Sequence, residues 1–327
     1  MFKNYLTIAL RNMRRRKLFS FINLTGLAFG TAFMLLIGLF LYFEHSHNRS
    51  FRNIDHTYRL VDATENQYGI DYRVRDAISE NIPAVENTCL MNNTSVEVNH
   101  GDQVFQFEHL LLVDTGFFEI FGFPFVEGTA ENALRTVEGV VLTASTARKV
   151  FGGENAVGQK LVLDHKYEMT VTSIVRDLPP NTSFRADLFA SAENTRRKRM
   201  SLSMSCLEYD GKDDSKCKYP FNIFVELHEH ADVAAVAKKT PALFNTEDYR
   251  FPDVVALTPF KTNYFNTQYS DHDLPHGNAG LVRTPALIGL VILALAGGLA
   301  LLIALLTVST QALKSALANP VEALRYE

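Results

Sequence analysis

No charged residue occurs from Leu18 to Phe43, and the stretch Phe21–Phe43, FINLTGLAFGTAFMLLIGLFLYF, is almost wholly apolar. At 1.5 Å per residue, a helix of this length crosses a bilayer core of roughly 30 Å. RNMRRRK lies just before it, with Arg11, Arg14, Arg15, Arg16 and Lys17. Basic clusters that abut a span tend to stay on the cytoplasmic side. One helix therefore orders the chain, with a short basic arm inside and a large domain outside. A cleaved leader fits less well. Its apolar region would run only about 7–15 residues and end at a small-x-small site, whereas His45, Ser46, His47 and Asn48 follow here.

The net charge of −4 averages three regimes. Residues 1–17 hold six basic side chains and no acid. Residues 44–283 hold 24 Lys and Arg against 34 Asp and Glu, or −10, and residues 284–327 balance. This asymmetry points to a membrane protein with an acidic exterior domain and away from nucleic-acid binding. A second uncharged run extends from Thr284 to Leu313, and its dense part, Pro285–Val308, is also long enough to span. The expected organisation is a basic amphipathic arm over 1–20, a first span over 21–43, an exterior domain over 44–284, a second span over 285–308 and an inner tail over 309–327. In the arm, Phe2, Tyr5, Leu6, Ala9 and Met13 recur at helical spacing, a pattern suited to the inner headgroup layer. The bland alternative is an inward extension of the span, and the functional alternative is a docking surface for a cytoplasmic partner. Gly289, Gly297 and Gly298 offer small surfaces for close helix packing, although glycine is common in spans generally.

The exterior segment alternates short strands with short helices. Strands are expected over 58–62, 104–113, 139–143, 160–163, 167–176, 221–228 and 253–260, and helices over 72–81 and 231–244. Ser145 is the expected N-cap of a helix that stops at Phe151-Gly152-Gly153. Phe117, Phe118, Phe121, Phe123 and Phe125 are too many aromatics for a solvated loop and read as core, with a hydrophobic ligand groove as the lesser alternative. Residues 194–218 read as an exposed loop. Without a Gly-rich nucleotide turn the pattern is α+β.

Chemistry-bearing motifs are sparse. The sequence has no GxxxxGK[ST] loop and no GxSxG elbow, so no ATP site or catalytic set is expected. His228 and His230 are two apart on an expected strand and could share a face, and His272 and His276 lie beside Asp271 and Asp273. Such pairs are usually unligated, so no metal or other cofactor is expected. Cys206 and Cys217 flank a polar loop in a segment expected to be oxidising, where either a bridge or two free thiols is open.

Several longer stretches resemble the permease subunits of MacB/FtsX-type ABC transporters. NYLTIALRNMRRRKLFSFINLTGLAFG (4–30) resembles that family's first helix and span. RSFRNIDHTYRL (49–60), VDTGFFEIFGFPFVEGTAENAL (113–134), VVLTASTARKVFG (140–152) and VTSIVRDLPPNTSF (171–184) resemble the signatures of its MacB-like periplasmic core domain. LLTVSTQALKSALANPVEALRYE (305–327) is similar to its last span and tail. The resemblance implies two transmembrane helices flanking an α+β periplasmic domain, in the bacterial inner membrane with both termini cytoplasmic. It implies a non-catalytic transport subunit working with a cytoplasmic ABC ATPase, as a homodimer or beside a related full-length permease, with a periplasmic partner in reach. One departure is that the family's middle spans and their cytoplasmic loop have no counterpart here. The alternative reading is a membrane-anchored periplasmic binding or assembly module derived from a shortened permease.

Overall fold

The computed structural model describes residues 17–66, 68–196, 205–206, 217–218, 220–243, 254–266, 268–269, 274–275 and 277, with 11, 15, 289, 309 and 310 singly. Two compact units emerge, one of Met1–His45 with Asn278–Glu327 and one of Ser46–Gly277.

In the first unit, α1 runs Lys17–His45. Its 29 residues span about 43 Å, so it begins before and ends beyond the expected 21–43. It is the one helix among the described residues long and apolar enough to cross a membrane. Phe21, Phe29, Phe33, Leu36, Leu39 and Tyr42 are all more than 60% exposed on it. Large apolar side chains exposed around a whole helix call for an apolar surrounding. Ile37, Leu41 and Glu44, at i, i+4 and i+7, form a partly covered stripe.

The second unit opens with β1 (Thr57–Asp62), β2 (Ile70–Asp71) and α2 (Arg73–Asn81). The long strands β3 (Val85–His100) and β4 (Gln103–Val113) follow. Then come α3 (Thr115–Phe121), β5 (Phe125–Glu127), α4 (Ala130–Ala133), β6 (Gly139–Thr143) and α5 (Ala144–Phe151). β7 (Lys160–Leu163), β8 (Tyr167–Val175), β9 (Leu188–Ser191) and α6 (Glu193–Arg196) continue the chain. The short pair β10 (Ser205–Cys206) and β11 (Cys217–Lys218) precedes β12 (Pro220–Leu227) and α7 (Val233–Lys239), and β13 (Val255–Pro259) and α8 (Phe260–Asn263) close the described elements.

One mixed sheet of eleven strands runs in the order β13-β1-β12-β3-β4-β9-β6-β8-β5, with β2 beside β12 and β7 bridging β3 and β8, and β10 and β11 form a separate pair. β4/β9 and β6/β8 are parallel, and the other pairs are antiparallel. Side chains alternate across the pleat, so each central strand feeds two cores. Leu110 and Leu112 of β4, Val140 and Leu142 of β6, and Ile223 and Val225 of β12 enter an aliphatic layer with Val74 and Ile78 of α2. Leu111, Val141, Phe189 and Phe224 point the other way, into an aromatic layer with Phe51, Phe117, Phe121, Phe184 and Phe260. A sheet buried on both faces explains why VFQFEHLLLV changes from alternating to continuously apolar.

Two local expectations are corrected. Thr143, not Ser145, caps α5, because its hydroxyl accepts from the Thr146 amide while the Ser145 amide is held by Asp177 Oδ1 at 2.9 Å. His228 and His230 do not share a strand face, because β12 ends at Leu227 and His230 turns to φ 69°. His228 instead lies 3.5 Å from Glu86, and His230 is 90% exposed. Among the described residues no cluster of three or more metal-type side chains occurs. His272, His276, Asp271 and Asp273 lie outside the described residues.

Candidate functional site

The chain enters the exterior domain through Ser46–Asn48, directly after an apolar helix, and the turn is fixed by polar contacts. Asn48 takes φ 61°, a left-handed conformation that asparagine tolerates better than most residues. Its backbone amide donates to the Asn181 carbonyl at 3.0 Å. Its side chain makes a two-way pair with Ser183: Nδ2 donates to Oγ at 2.8 Å, and the Ser183 amide donates to Oδ1 at 2.7 Å. Asn181 Nδ2 donates to Ser46 Oγ at 2.7 Å. The break at DLPPNTSF thus supplies a socket for the entering chain. Pro179 and Pro180 cannot prolong β8, which leaves the polar groups of 181–183 free to bind the entry turn.

His47 stacks flat on Tyr264, with centroids 3.5 Å apart and planes at 13°. Both ring nitrogens are buried without a hydrogen-bond partner. Burial pushes the imidazole down to about 4, outweighing an opposing influence from the Thr182 backbone. The exiting chain meets the same tyrosine, since the Gly277 amide donates to the Tyr264 carbonyl at 2.7 Å. A β-carbon on Gly277 would collide with Cε1 of that ring and lie 2.7 Å from Cδ1. Entry and exit are therefore fastened to one residue. Phe51, three residues on from Asn48, anchors the entry in the aromatic layer, with Phe121 at 5.1 Å and Phe184 at 5.2 Å.

The third motif reaches this cluster through α3. Gly122 closes that helix with φ 65°, and a β-carbon there would sit 2.8 Å from Cβ of Arg52. Glycine is required on both counts, and the approach lets the Arg52 amide reach the Phe121 carbonyl. At the start of α3, partly buried Asp114 accepts from the Leu90 amide at 3.2 Å and lies 3.5 Å from Arg75. Burial pushes its carboxyl up to about 6 despite Arg75. Three stretches far apart in sequence, 49–60, 113–134 and 171–184, thus meet at the aromatic layer beside the entry turn.

The residues singled out from sequence fall elsewhere. Arg11, Arg15 and Lys17 are exposed at and before the start of α1, and Arg14 and Arg16 lie outside the described residues, as does the arm over 1–10. Gly289 is helical, and the place its β-carbon would take is 3.9 Å from Cδ1 and Cγ2 of Ile37. Gly297 and Gly298, and the rest of 285–308, lie outside the described residues. Cys206 stands directly opposite Cys217 across the β10/β11 pair. The expected exposed loop over 194–218 is only partly one, because Asn194 and Thr195 are buried and Asn194 Nδ2 donates to the Val137 carbonyl at 2.8 Å. His47, Asn48, Ser183, Tyr264 and Gly277 escaped the sequence reading. The signal for them was the polar HSHN directly after an apolar helix, together with the PPNTS break.

Comparison with known proteins bears on the fold around this junction. Residues 20–243 match the model of the MacB-like periplasmic core domain. No curated protein matches the chain. Similar solved structures include a domain assigned to a permease protein from Porphyromonas gingivalis, at 20% identity and TM-score 0.49, covering 68% of this chain and 95% of that one. The periplasmic region of MacB from Actinobacillus actinomycetemcomitans is similar at 14% identity and TM-score 0.46, covering 65% and 92%. The extracellular domain of the noncanonic ABC-type transporter YknZ from Gram-positive bacteria is similar at 11% identity and TM-score 0.43, covering 62% and 99%.

Proposed function

The chain belongs to the family of MacB-like periplasmic core domains, and on that premise we propose that it is a non-catalytic, permease-like subunit of an ABC transporter, which couples a cytoplasmic ATPase to a periplasmic domain. The observation that carries this reading is the fastening of entry and exit to Tyr264, backed by Phe51 in the aromatic layer. A domain held this way takes up movement of either connection as one body, because a close-packed interior transmits displacement. On this reading 1–20 and 309–327 are cytoplasmic, 21–43 and 285–308 span the inner membrane and 44–284 is periplasmic. Arg11, Arg14, Arg15, Arg16 and Lys17 hold the inner headgroups. Gly289, with Gly297 and Gly298, packs the spans, and the neighbour of Gly289, Ile37, supports that role. Two spans cannot enclose a conduit, so the subunit works as a homodimer or beside a full-length permease.

The test is co-purification of the full chain with its ATPase, with nucleotide hydrolysis measured in the presence of wild type and of Tyr264→Ala. The expected result is a complex whose hydrolysis rate depends on the chain, with the variant bound but less stimulatory. Absence of both complex and stimulation overturns the reading. The shortage of spans favours one second reading, an anchored periplasmic binding or assembly module. Crosslinks from Phe125 and Arg15 that reach only exterior partners would select it.

The β10/β11 register also supports a Cys206–Cys217 disulfide, since directly opposed residues in antiparallel strands sit about 4.5–5.5 Å apart at Cα, within disulfide range. Intact mass before and after reduction and alkylation checks it.

A further inference from the structure

Beside the entry turn lies a cavity of about 290 Å³ that the coupling role does not use. Its walls bring Asn93 of β3, His109 of β4 and Ser183 and Arg185 of the socket loop together over Leu111 and Leu274. Among the described residues no acidic side chain lines it, although the surrounding segment 44–283 carries −10. Asn93 Nδ2 is 3.4 Å from His109 Nδ1. With that nitrogen accepting, the neutral ring carries its proton on Nε2, a second donor, and the amide keeps one N–H to give. Ser183 Oγ already accepts from Asn48, so its own hydrogen is free to donate. Arg185 is exposed and has no carboxylate within ion-pair reach among the described residues.

We propose that this cavity binds a compact anion, a carboxylate or a phosphate monoester. Its polar lining offers donors and a fork-shaped cation, the combination that recognises such groups. The repulsion of the acidic domain is screened beyond about 8–10 Å in physiological salt, so the near donors dominate. Ser183 is hydrogen-bonded to a residue three positions past the apolar helix. The same anionic chemistry is therefore available from a free solute or from a phospholipid headgroup.

The test uses the full chain in phosphate-free detergent, with glycerol 3-phosphate as probe and ³¹P line broadening as readout. Saturable broadening, displaced by succinate, is expected below ~10 mM, the range in which a millimolar site fills. Arg185→Glu should weaken binding at least tenfold. Asn93→Asp, which places a carboxylate in the wall at nearly constant shape, should do the same and serves as the independent variant if the first unfolds. No saturation, or wild-type binding by a folded Asn93→Asp, overturns the proposal. In nanodiscs, an Arg185-dependent rise in unfolding midpoint with phosphatidate over neutral lipid assigns the anion to the headgroup. Binding of the soluble probe without that rise assigns it to a free solute.

Discussion

The two faces of the sheet are built from the same strands yet differ in kind. The aliphatic face packs Leu, Val and Ile beneath α2, α5 and α7, with Val74, Ile78, Val150 and Val236 closing it. The aromatic face packs rings from the entry segment, α3, the socket loop and α8, where Phe117, Phe121, Phe184 and Phe224 meet at tilted or edge-on angles and Phe260 stacks on Phe184 at 24°. Branched aliphatics tolerate repacking at conserved volume, whereas interlocked rings hold fixed orientations. Both faces are buried cores and both contribute to the domain's stability. The aromatic face adds a rigid mount where the chain enters, and three of the four interior motifs converge there.

The sharpest way to break this comparison is one truncation on each face. Phe121→Ala and Leu112→Ala both remove a side chain that is 1% exposed or less. Each should cost about 3–5 kcal/mol in denaturant unfolding of the full chain, the phenylalanine more. Only Phe121→Ala should also speed hydrogen exchange at the Asn48 and Gly277 amides under native conditions. Equal exchange in both variants would remove the distinction between the faces. Gly277→Ala tests the mount directly. Its new carbon must displace a ring that His47 already covers, so a loss of about 3 kcal/mol is expected, comparable to overpacking a core. Tyr264→Ala in the same chain should restore most of that loss relative to Tyr264→Ala alone, because the clash has gone.

Much of the scaffold was legible because its signals are local. Gly152 at φ 72° ends α5 where the Phe-Gly-Gly sequence places the stop. The hairpin of β7 and β8 turns through Asp164 and His165, both at positive φ. β3 was hidden for a physical reason. Its VENTCLMNNTSVEVNH has no sustained alternation, since Cys89, Leu90 and Met91 are buried on both faces of the sheet, polar Asn92–Ser95 follow, and only Val96 and Val98 return to the alternating pattern. The family motifs carried the fold, but no sequence signal paired them in space. His47 on Tyr264 is a contact across more than 200 residues, fixed by tertiary packing alone.

The smallest expected effects separate the mount from its surroundings by pH. His47 has a folded value near 4, below its ordinary 6.5. The unfolded chain therefore binds more protons between those values, and stability falls as pH drops from about 6.5 to 4, by on the order of 2–3 kcal/mol. His47→Phe keeps the stack on Tyr264 and should flatten that window. Asp114 acts in the opposite sense. Its folded value near 6 lies above the ordinary 3.8, so the native state binds more protons between them, and this group adds stability as pH falls from about 6 to 4, by on the order of 2 kcal/mol. Asp114→Asn should therefore make the wild-type decline steeper over the same range, while His47→Phe makes it shallower. Urea midpoints of the three proteins at pH 7, 5.5 and 4.5 read the difference. Parallel curves would mean that neither group is held neutral by its burial, and the isolation of the His47 ring nitrogens would have to be abandoned.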